Sequence, residues 1–118
     1  MNERTLSIII VNYKTPDLVI QCIRSVYQET LRHPFEIIVV DNDSQDDSQA
    51  RILAAFPGVT WIQMNYNSGF ARGNNAGIRQ ATGEWILLLN GDTLVLDGAL
   101  DLTLDLAIAE PDLVACGV

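Results

Sequence analysis

The sequence is short of positive charge, histidine and cysteine, and each shortage argues against a class of function. Its 118 residues include 7 basic and 15 acidic side chains, giving a net charge of -8 at pH 7, and Lys14 is its single lysine. We therefore expect no nucleic-acid partner and no polybasic membrane patch, since both need clustered Lys and Arg. One histidine, His33, and two distant cysteines, Cys22 and Cys116, do not match the usual spacing of a zinc site. A Ser–His–Asp triad around this lone histidine is equally unexpected.

Long hydrophobic runs are also missing. No stretch approaches the roughly 20 apolar residues that span a bilayer, and the first residues lack the pattern of a signal peptide. We expect no transmembrane segment, a cytoplasmic location and reduced cysteines, although one disulfide is an open alternative. The length suits one domain, residues 1–118, and the apolar run at its end suggests a chain truncated at the C-terminus.

Short apolar runs alternate with amphipathic segments along the chain. Runs rich in Ile, Val and Leu predict buried strands, and apolar residues at helical spacing predict helices between them. The predicted strands are 6–11, 35–40, 59–64 and 84–89, and the predicted helices are 18–31, 45–56 and 71–81. This alternation predicts an α/β fold, with a mainly parallel, Rossmann-like open sheet and helices on both faces.

The segment after Asp97 has two interpretations. Leucines at alternate positions from Leu100 to Leu106 have the period of a strand. The same segment also fits a helix with Asp97 as its N-cap and Pro111 as its stop, and its length favours the helix. A further strand is predicted to begin within 113–118.

Polar residues follow each predicted strand. In open α/β sheets ligands bind beyond the carboxyl ends of the strands, so these segments are the candidate site. Carboxylates gathered there suit a hard divalent cation, Mg²⁺ or Mn²⁺, that would hold a diphosphate; Asp92 is the best metal-ligand candidate. Asp92 could instead serve only to form a turn, and Asp41 could instead form a turn or cap the following helix. The segments are 12–13, 41–43, 65–69 and 90–92.

Two further polar clusters differ in what they predict. Asp43, Asp46 and Asp47 are typical of a helix N-terminus, where the helix dipole favours acidic residues. The segment 67–77 holds three Gly and three Asn, which indicates backbone that takes positive φ or approaches a ligand closely. Arg72 lies within it and is a candidate phosphate ligand.

Taken together, these segments resemble the N-terminal, nucleotide-sugar-binding half of glycosyltransferase family 2, which has the GT-A fold. The matching stretches span nearly the whole chain and are closest to rhamnosyltransferase-like members that modify bacterial polysaccharides. They are LSIIIVNYKTPDLVIQCIRSV, FEIIVVDNDSQD, NSGFARGNNAGIRQATGEWILLLNGDT and LVLDGALDLTL. The resemblance implies an enzyme that transfers a sugar, of hexosyl type, from a nucleotide-diphosphate donor to a saccharide or lipid-linked acceptor, with inversion at the anomeric carbon.

The resemblance also implies roles for individual residues. The end of the first strand would line the base pocket, and Asp41 would hydrogen-bond the base. The N-x-G-F segment would lie in the donor pocket, and Asp92, at the D-x-D position, would contact the metal and the diphosphate. The donor-binding residues implied in this way are Val11, Asn12, Tyr13, Asp41, Asn67, Gly69, Phe70, Arg72, Asn75, Asn90 and Asp92.

Two departures limit what the resemblance implies. Asn90 stands where the strict motif has its first aspartate, and its amide oxygen supplies a ligand atom without a negative charge. The family's general base lies in its C-terminal half, so we expect the catalytic base beyond Val118 and donor binding without efficient transfer in this chain.

Other functions are weighed against this one. A noncatalytic nucleotide-binding or interaction module is the main alternative. A receiver domain needs a lysine after a late strand, and a nucleotidyltransferase needs a glycine-rich basic loop after Val11; neither is present. Peripheral membrane association of a longer protein and self-association through an apolar surface that a missing half would cover are left open.

Overall fold

A computed structural model describes residues 5–110 and 112 of the chain. Within these residues, four strands alternate with four helices, as the sequence predicts. The elements in chain order are β1 (Leu6–Asn12), α1 (Pro16–Glu29), β2 (Phe35–Asp41), α2 (Ser48–Ala55), β3 (Thr60–Gln63), α3 (Gly69–Gln80), β4 (Trp85–Leu88) and α4 (Ala99–Ala109). The strand predicted within 113–118 lies outside the described residues.

The four strands form one open parallel sheet in the order β3-β2-β1-β4. The chain moves outward from β1 to β3 and then crosses back to place β4 on the other side of β1. The strand order therefore reverses between β1 and β4, and such a reversal opens a crevice at the carboxyl ends of the two strands.

Alternation along the central strands divides the core into two layers. Ile8 and Ile10 of β1 point to one face, where they join the apolar sides of α1, α2 and α4. Ile9 points to the opposite face and packs with Ala76 of α3. Helices thus cover both faces of the sheet, which confirms the predicted fold class.

The first and last helices begin for different reasons. Pro16 begins α1, two residues before the predicted start at 18, because its fixed φ suits the first helical position and its missing N–H costs no hydrogen bond there. The prediction that Asp97 caps α4 is wrong. Gly98 is the N-cap and has a φ of 66°, and its backbone N–H donates to Glu29 Oε1 at 3.0 Å. A contact with α1 therefore sets the start of α4.

Asp101 in the first turn of α4 fastens this helix to the loop between α1 and β2. Its carboxylate accepts backbone N–H groups from Leu31 at 2.8 Å, Arg32 at 3.2 Å and His33 at 3.1 Å. Burial raises the pKa of Asp101, but these three hydrogen bonds outweigh it and hold the pKa below its usual value. The buried carboxylate therefore stays ionised and holds α4 against α1.

Within the described part of the chain, no helix has both the length and the apolar composition needed to cross a membrane.

Candidate functional site

A row of polar side chains crosses three neighbouring strands where they end. Asn12 of β1 is in register with Asp41 of β2, which is in register with Gln63 of β3. In a parallel sheet, residues in register point to the same face. Asn12 Nδ2 donates to Asp41 Oδ1 at 2.7 Å, and Gln63 Nε2 donates to Asp41 Oδ2 at 2.9 Å. Asp41 is thus the centre of a hydrogen-bonded row at the carboxyl edge of the sheet.

Ser44 completes the coordination of Asp41. Its hydroxyl donates to Oδ1 at 2.6 Å, and its backbone N–H donates to Oδ2 at 3.0 Å. The Asp41 side chain therefore accepts four hydrogen bonds while its residue is only 3% exposed. Burial raises the pKa of Asp41, but the hydrogen bonds from Ser44, Gln63 and Asn12 together lower it by more. The pKa therefore lies below its usual value. The carboxylate is charged at neutral pH.

Asn42, the next residue, joins the end of β2 to the glycine-rich segment. Its Nδ2 donates to the carbonyl oxygen of Gly69 at 2.9 Å, and its Oδ1 accepts from the backbone N–H and the hydroxyl of Ser68, at 3.0 and 2.7 Å. Gly69 has a φ of 82°, which confirms that this segment needs a residue without a Cβ atom. Asn67 Oδ1 accepts the N–H of Gly69 at 3.1 Å. One buried asparagine thus fixes the start of α3.

The other glycines of α3 serve the packing of the helix on the sheet. A Cβ atom at Gly73 would lie 3.1 Å from Val11 Cγ2, and one at Gly77 would lie 2.5 Å from Ile9 Cγ2. The glycines predicted a close approach of the backbone to a ligand. At these two positions the helix backbone instead approaches β1. The Val11 side chain packs against α3, and its role in a base pocket stays a prediction.

The turn after β4 lies over the end of β1. A Cβ atom at Gly91 would lie 2.9 Å from Val19 Cγ2 and 3.3 Å from Ile10 Cγ2, so this backbone is in close contact with the core. The carbonyl oxygen of Asn90 accepts the backbone N–H and the hydroxyl of Thr93, at 3.1 and 2.6 Å. The turn residues Asn90 and Asp92 are exposed at the carboxyl edge of the sheet, after β4.

The residues of this turn suit a metal site whose ligands come partly from the protein and partly from a bound substrate. The described residues contain no group of three or more His, Cys, Asp or Glu side chains able to bind a metal by themselves. Mg²⁺ is commonly held by one or two carboxylates together with substrate phosphates. The exposed carboxylate of Asp92, with the amide oxygen of Asn90 near it in sequence, suits that arrangement.

The remaining predicted site residues are exposed. Tyr13 follows β1, and its ring centroid lies 5.2 Å from the Lys14 ammonium. Phe70, Arg72 and Asn75 lie on the first two turns of α3 with their side chains accessible. The structure therefore leaves these groups available to a ligand.

A cleft of about 310 Å³ opens beside Asp41, on the side of β2 and β3. Its polar lining includes Gln63, which sequence reasoning missed, as it also missed Ser44 and the bridging role of Asn42. Position provides a signal for Asn42 and Ser44, because both lie within three residues of the end of β2. No sequence signal distinguishes Gln63, whose role depends on strand register. The lining residues are Asp41, Asp43, Gln45, Asp46, Ser48, Gln49, Gln63, Met64 and Asn65.

Comparison with known proteins identifies the family. The model of glycosyl transferase family 2 matches residues 7–118, and the chain belongs to that family. It spans about a third or less of the length of the curated relatives that it matches. One of these, poly-beta-1,6-N-acetyl-D-glucosamine synthase from Staphylococcus epidermidis, is 29% identical over 97 residues, covering 80% of this chain and 23% of the relative.

Solved structures show the same fold. S. aureus TarS 1-349 in complex with UDP superimposes with a TM-score of 0.78 at 22% identity, over 89% of this chain and 32% of that one. The mannosyltransferase PcManGT from Pyrobaculum calidifontis, in complex with GDP-Man and Mn2+, also has a TM-score of 0.78 at 21% identity, over 94% and 34% of the two chains. The α/β architecture of this chain is therefore that of GT-A glycosyltransferases.

Proposed function

We propose that this chain binds the nucleotide-diphosphate sugar donor of an inverting glycosyltransferase. The observation that carries the proposal is the joining of four strand-end segments at one edge of the sheet. Asp41 links the ends of β1, β2 and β3, Asn42 links β2 to the glycine-rich segment, and Gly91 packs the turn after β4 onto β1. These segments lie along the carboxyl edge of the sheet, which includes the point between β1 and β4 where the strand order reverses, and open α/β sheets bind ligands at this edge.

In this proposal the nucleotide base lies at the ends of β1 and β2. Asp41, an ionised acceptor that lines the cleft, would accept an N–H of the base, and Asn12 and Tyr13 would border it. The exposed residues at the start of α3 would face the rest of the donor, with the Arg72 guanidinium available to the diphosphate. Support comes from the family and from the similar structure of TarS in complex with UDP.

Asp92 would hold a divalent metal, Mg²⁺ or Mn²⁺, together with the donor diphosphate, and Asn90 would contribute its amide oxygen. Such an ion, when bound, neutralises charge on the diphosphate as it leaves. The exposure of both side chains at the carboxyl edge of the sheet supports this part of the proposal, as does the Mn2+ in the complex of the similar mannosyltransferase PcManGT.

The transfer itself is proposed for the whole protein. A hexosyl group would pass with inversion to a saccharide or lipid-linked acceptor at the cytoplasmic side, in the synthesis of a bacterial polysaccharide. The relative named as a poly-beta-1,6-N-acetyl-D-glucosamine synthase supports the polysaccharide role. Deprotonation of the acceptor hydroxyl needs a base within hydrogen-bond reach, and we assign that base to none of the residues described here.

Calorimetric titration tests the proposal. The chain would be titrated with UDP, dTDP and GDP, each with and without Mn²⁺, beside an Asp92→Ala variant. We expect one diphosphate to bind in a metal-dependent manner and the metal dependence to disappear in the variant. Asp97→Asn is the control, because it removes an exposed negative charge from the same segment at a φ of 54° that asparagine adopts readily, and it should bind as the unmodified chain does. Absence of binding by all three nucleotides would contradict the proposal.

A further inference from the structure

The acceptor positions of Asp41 are already occupied within the chain. A carboxylate offers about four lone-pair sites, and Asp41 accepts four hydrogen bonds. The four donor groups are Asn12 Nδ2, Ser44 Oγ, the Ser44 backbone N–H and Gln63 Nε2. A ligand that hydrogen-bonds Asp41 must therefore displace one of these donors.

Gln63 is the donor that a ligand can displace. Asn12 is fully buried and Ser44 is 2% exposed, so neither leaves without opening the core. Gln63 is exposed on the edge strand β3, and it lines the same cleft as Asp41. The ligand would therefore approach Asp41 Oδ2 from the cleft and meet the Gln63 amide there.

The Gln63 amide is held in the orientation that blocks Asp41. Trp61 Nε1, which can only donate, points at Gln63 Oε1 at 3.1 Å, two residues earlier on the same face of β3. This contact turns Nε2 toward Asp41 Oδ2 at 2.9 Å and toward the Met64 carbonyl oxygen at 3.0 Å. The amide thus forms a cap over the carboxylate in the absence of a ligand.

We propose that Gln63 is a specificity-determining residue that caps Asp41, so that only a ligand bringing its own N–H donor displaces the amide and gains the carboxylate. This inference rests on the proposed function, in which the base of a nucleotide diphosphate is that ligand. A ligand without such a donor gains nothing from displacing Gln63, because the buried carboxylate would lose a hydrogen bond without replacement.

The cap has a cost in affinity. A hydrogen bond to a charged acceptor is stronger than one between neutral groups. When a ligand displaces Gln63, the amide therefore loses a hydrogen bond to Asp41 that is stronger than any it could form with a neutral base. Removing the amide should therefore increase affinity for ligands that bring an N–H donor, and leave affinity for ligands without one unchanged. A purely structural role for Gln63 would change both affinities alike.

The test compares Gln63→Ala with Gln28→Ala, a variant of an exposed glutamine of α1 that does not line the cleft. Each chain would be titrated with UDP, dTDP and GDP, which carry a ring N–H, and with UDP and dTDP methylated at N3. Methylated GDP is omitted because its exocyclic amino group would still donate. We expect Gln63→Ala to bind at least one unmethylated nucleotide about three- to tenfold more tightly than the unmodified chain. Its affinity for the methylated form should be unchanged, and Gln28→Ala should match the unmodified chain throughout.

Two outcomes would overturn the inference, and they differ in what else they overturn. Unchanged or weaker nucleotide binding by Gln63→Ala, with binding by the unmodified chain, would refute the cap and leave the proposed function standing. Failure of every chain to bind any nucleotide would refute the proposed function and the cap with it. Thermal melting of both variants would check that they are folded.

Discussion

Replacing Asp41 with asparagine tests the centre of the polar row. The substitution keeps the size of the side chain and removes its charge. One of the two acceptor oxygens becomes an NH₂ group, which cannot accept the donors now directed at Asp41. If the amide oxygen keeps Asn12 and the Ser44 hydroxyl, the NH₂ group faces the Ser44 backbone N–H and Gln63 Nε2.

The cost of Asp41→Asn follows from this mismatch. Gln63 is exposed and can turn to water, but the buried N–H of Ser44 loses its acceptor. A buried donor without a partner costs about 1–3 kcal/mol, so we expect the free energy of unfolding at pH 7 to fall by about that amount. Nucleotide binding should also be lost, because the proposed acceptor of the base N–H is gone.

The same variant should alter how stability depends on pH. The pKa of Asp41 lies below its usual value in the folded chain. The stability that its ionised form supplies is therefore present above the pKa of the unfolded chain, about 3.9, and is lost as the pH falls through the lower folded pKa. Asp41→Asn lacks this loss, so the difference in stability between the two chains should narrow as the pH falls below about 4.

Urea denaturation at pH 7 and at lower pH values would measure both effects. Asp43→Asn is the matched control, because Asp43 lines the same cleft and has a φ of 66°, a conformation that asparagine adopts readily. This control should be close to the unmodified chain in stability. A loss of less than about 0.5 kcal/mol for Asp41→Asn at pH 7, or a difference that does not change with pH, would refute the reasoning.

Two further predictions concern the packing that positions the site. Gly77→Ala should lower the free energy of unfolding by about 1–3 kcal/mol, because the new methyl group overlaps β1 more than its helix propensity offsets; Gly58→Ala, where a Cβ atom lies 4.0 Å from its nearest neighbour, should be nearly neutral in urea denaturation. Asp101→Asn should cost about 1–3 kcal/mol in the same assay by leaving backbone N–H groups without a carboxylate, whereas Asp105→Asn at an exposed ion pair should change little. Equal effects of the two substitutions in either pair would contradict the corresponding prediction.

The sequence predicts the fold class because hydrophobic pattern and chain punctuation agree. The runs of Ile and Val mark β1 and β2, and Pro16 marks the start of α1. The sequence prediction fails at Asp97 because a tertiary contact can set where a helix begins. Here the backbone N–H of Gly98 donates to the side chain of Glu29. Local capping rules carry no information about residues so distant in sequence.

The candidate site is predictable in part for a similar reason. Asp41 and the turn of Asn90 and Asp92 follow strands directly, so the sequence indicates their position at the sheet edge. The pairing of Asp41 with Gln63 depends on the register between β2 and β3, which the sequence does not specify. The glycine at position 77 correctly indicates a close approach of the backbone, but the neighbour it approaches is Ile9 of β1.

Mapping of the bound nucleotide by NMR tests the central claim most directly. Amide chemical shifts of the chain would be followed during titration with UDP, dTDP and GDP in the presence of Mg²⁺. We predict that the largest changes for the nucleotide that binds cluster at the carboxyl edge of the sheet, in residues 12–13, 41–44, 63–69 and 90–92. Largest changes at the opposite edge, around 82–84, or no changes with any of the three nucleotides, would contradict the account.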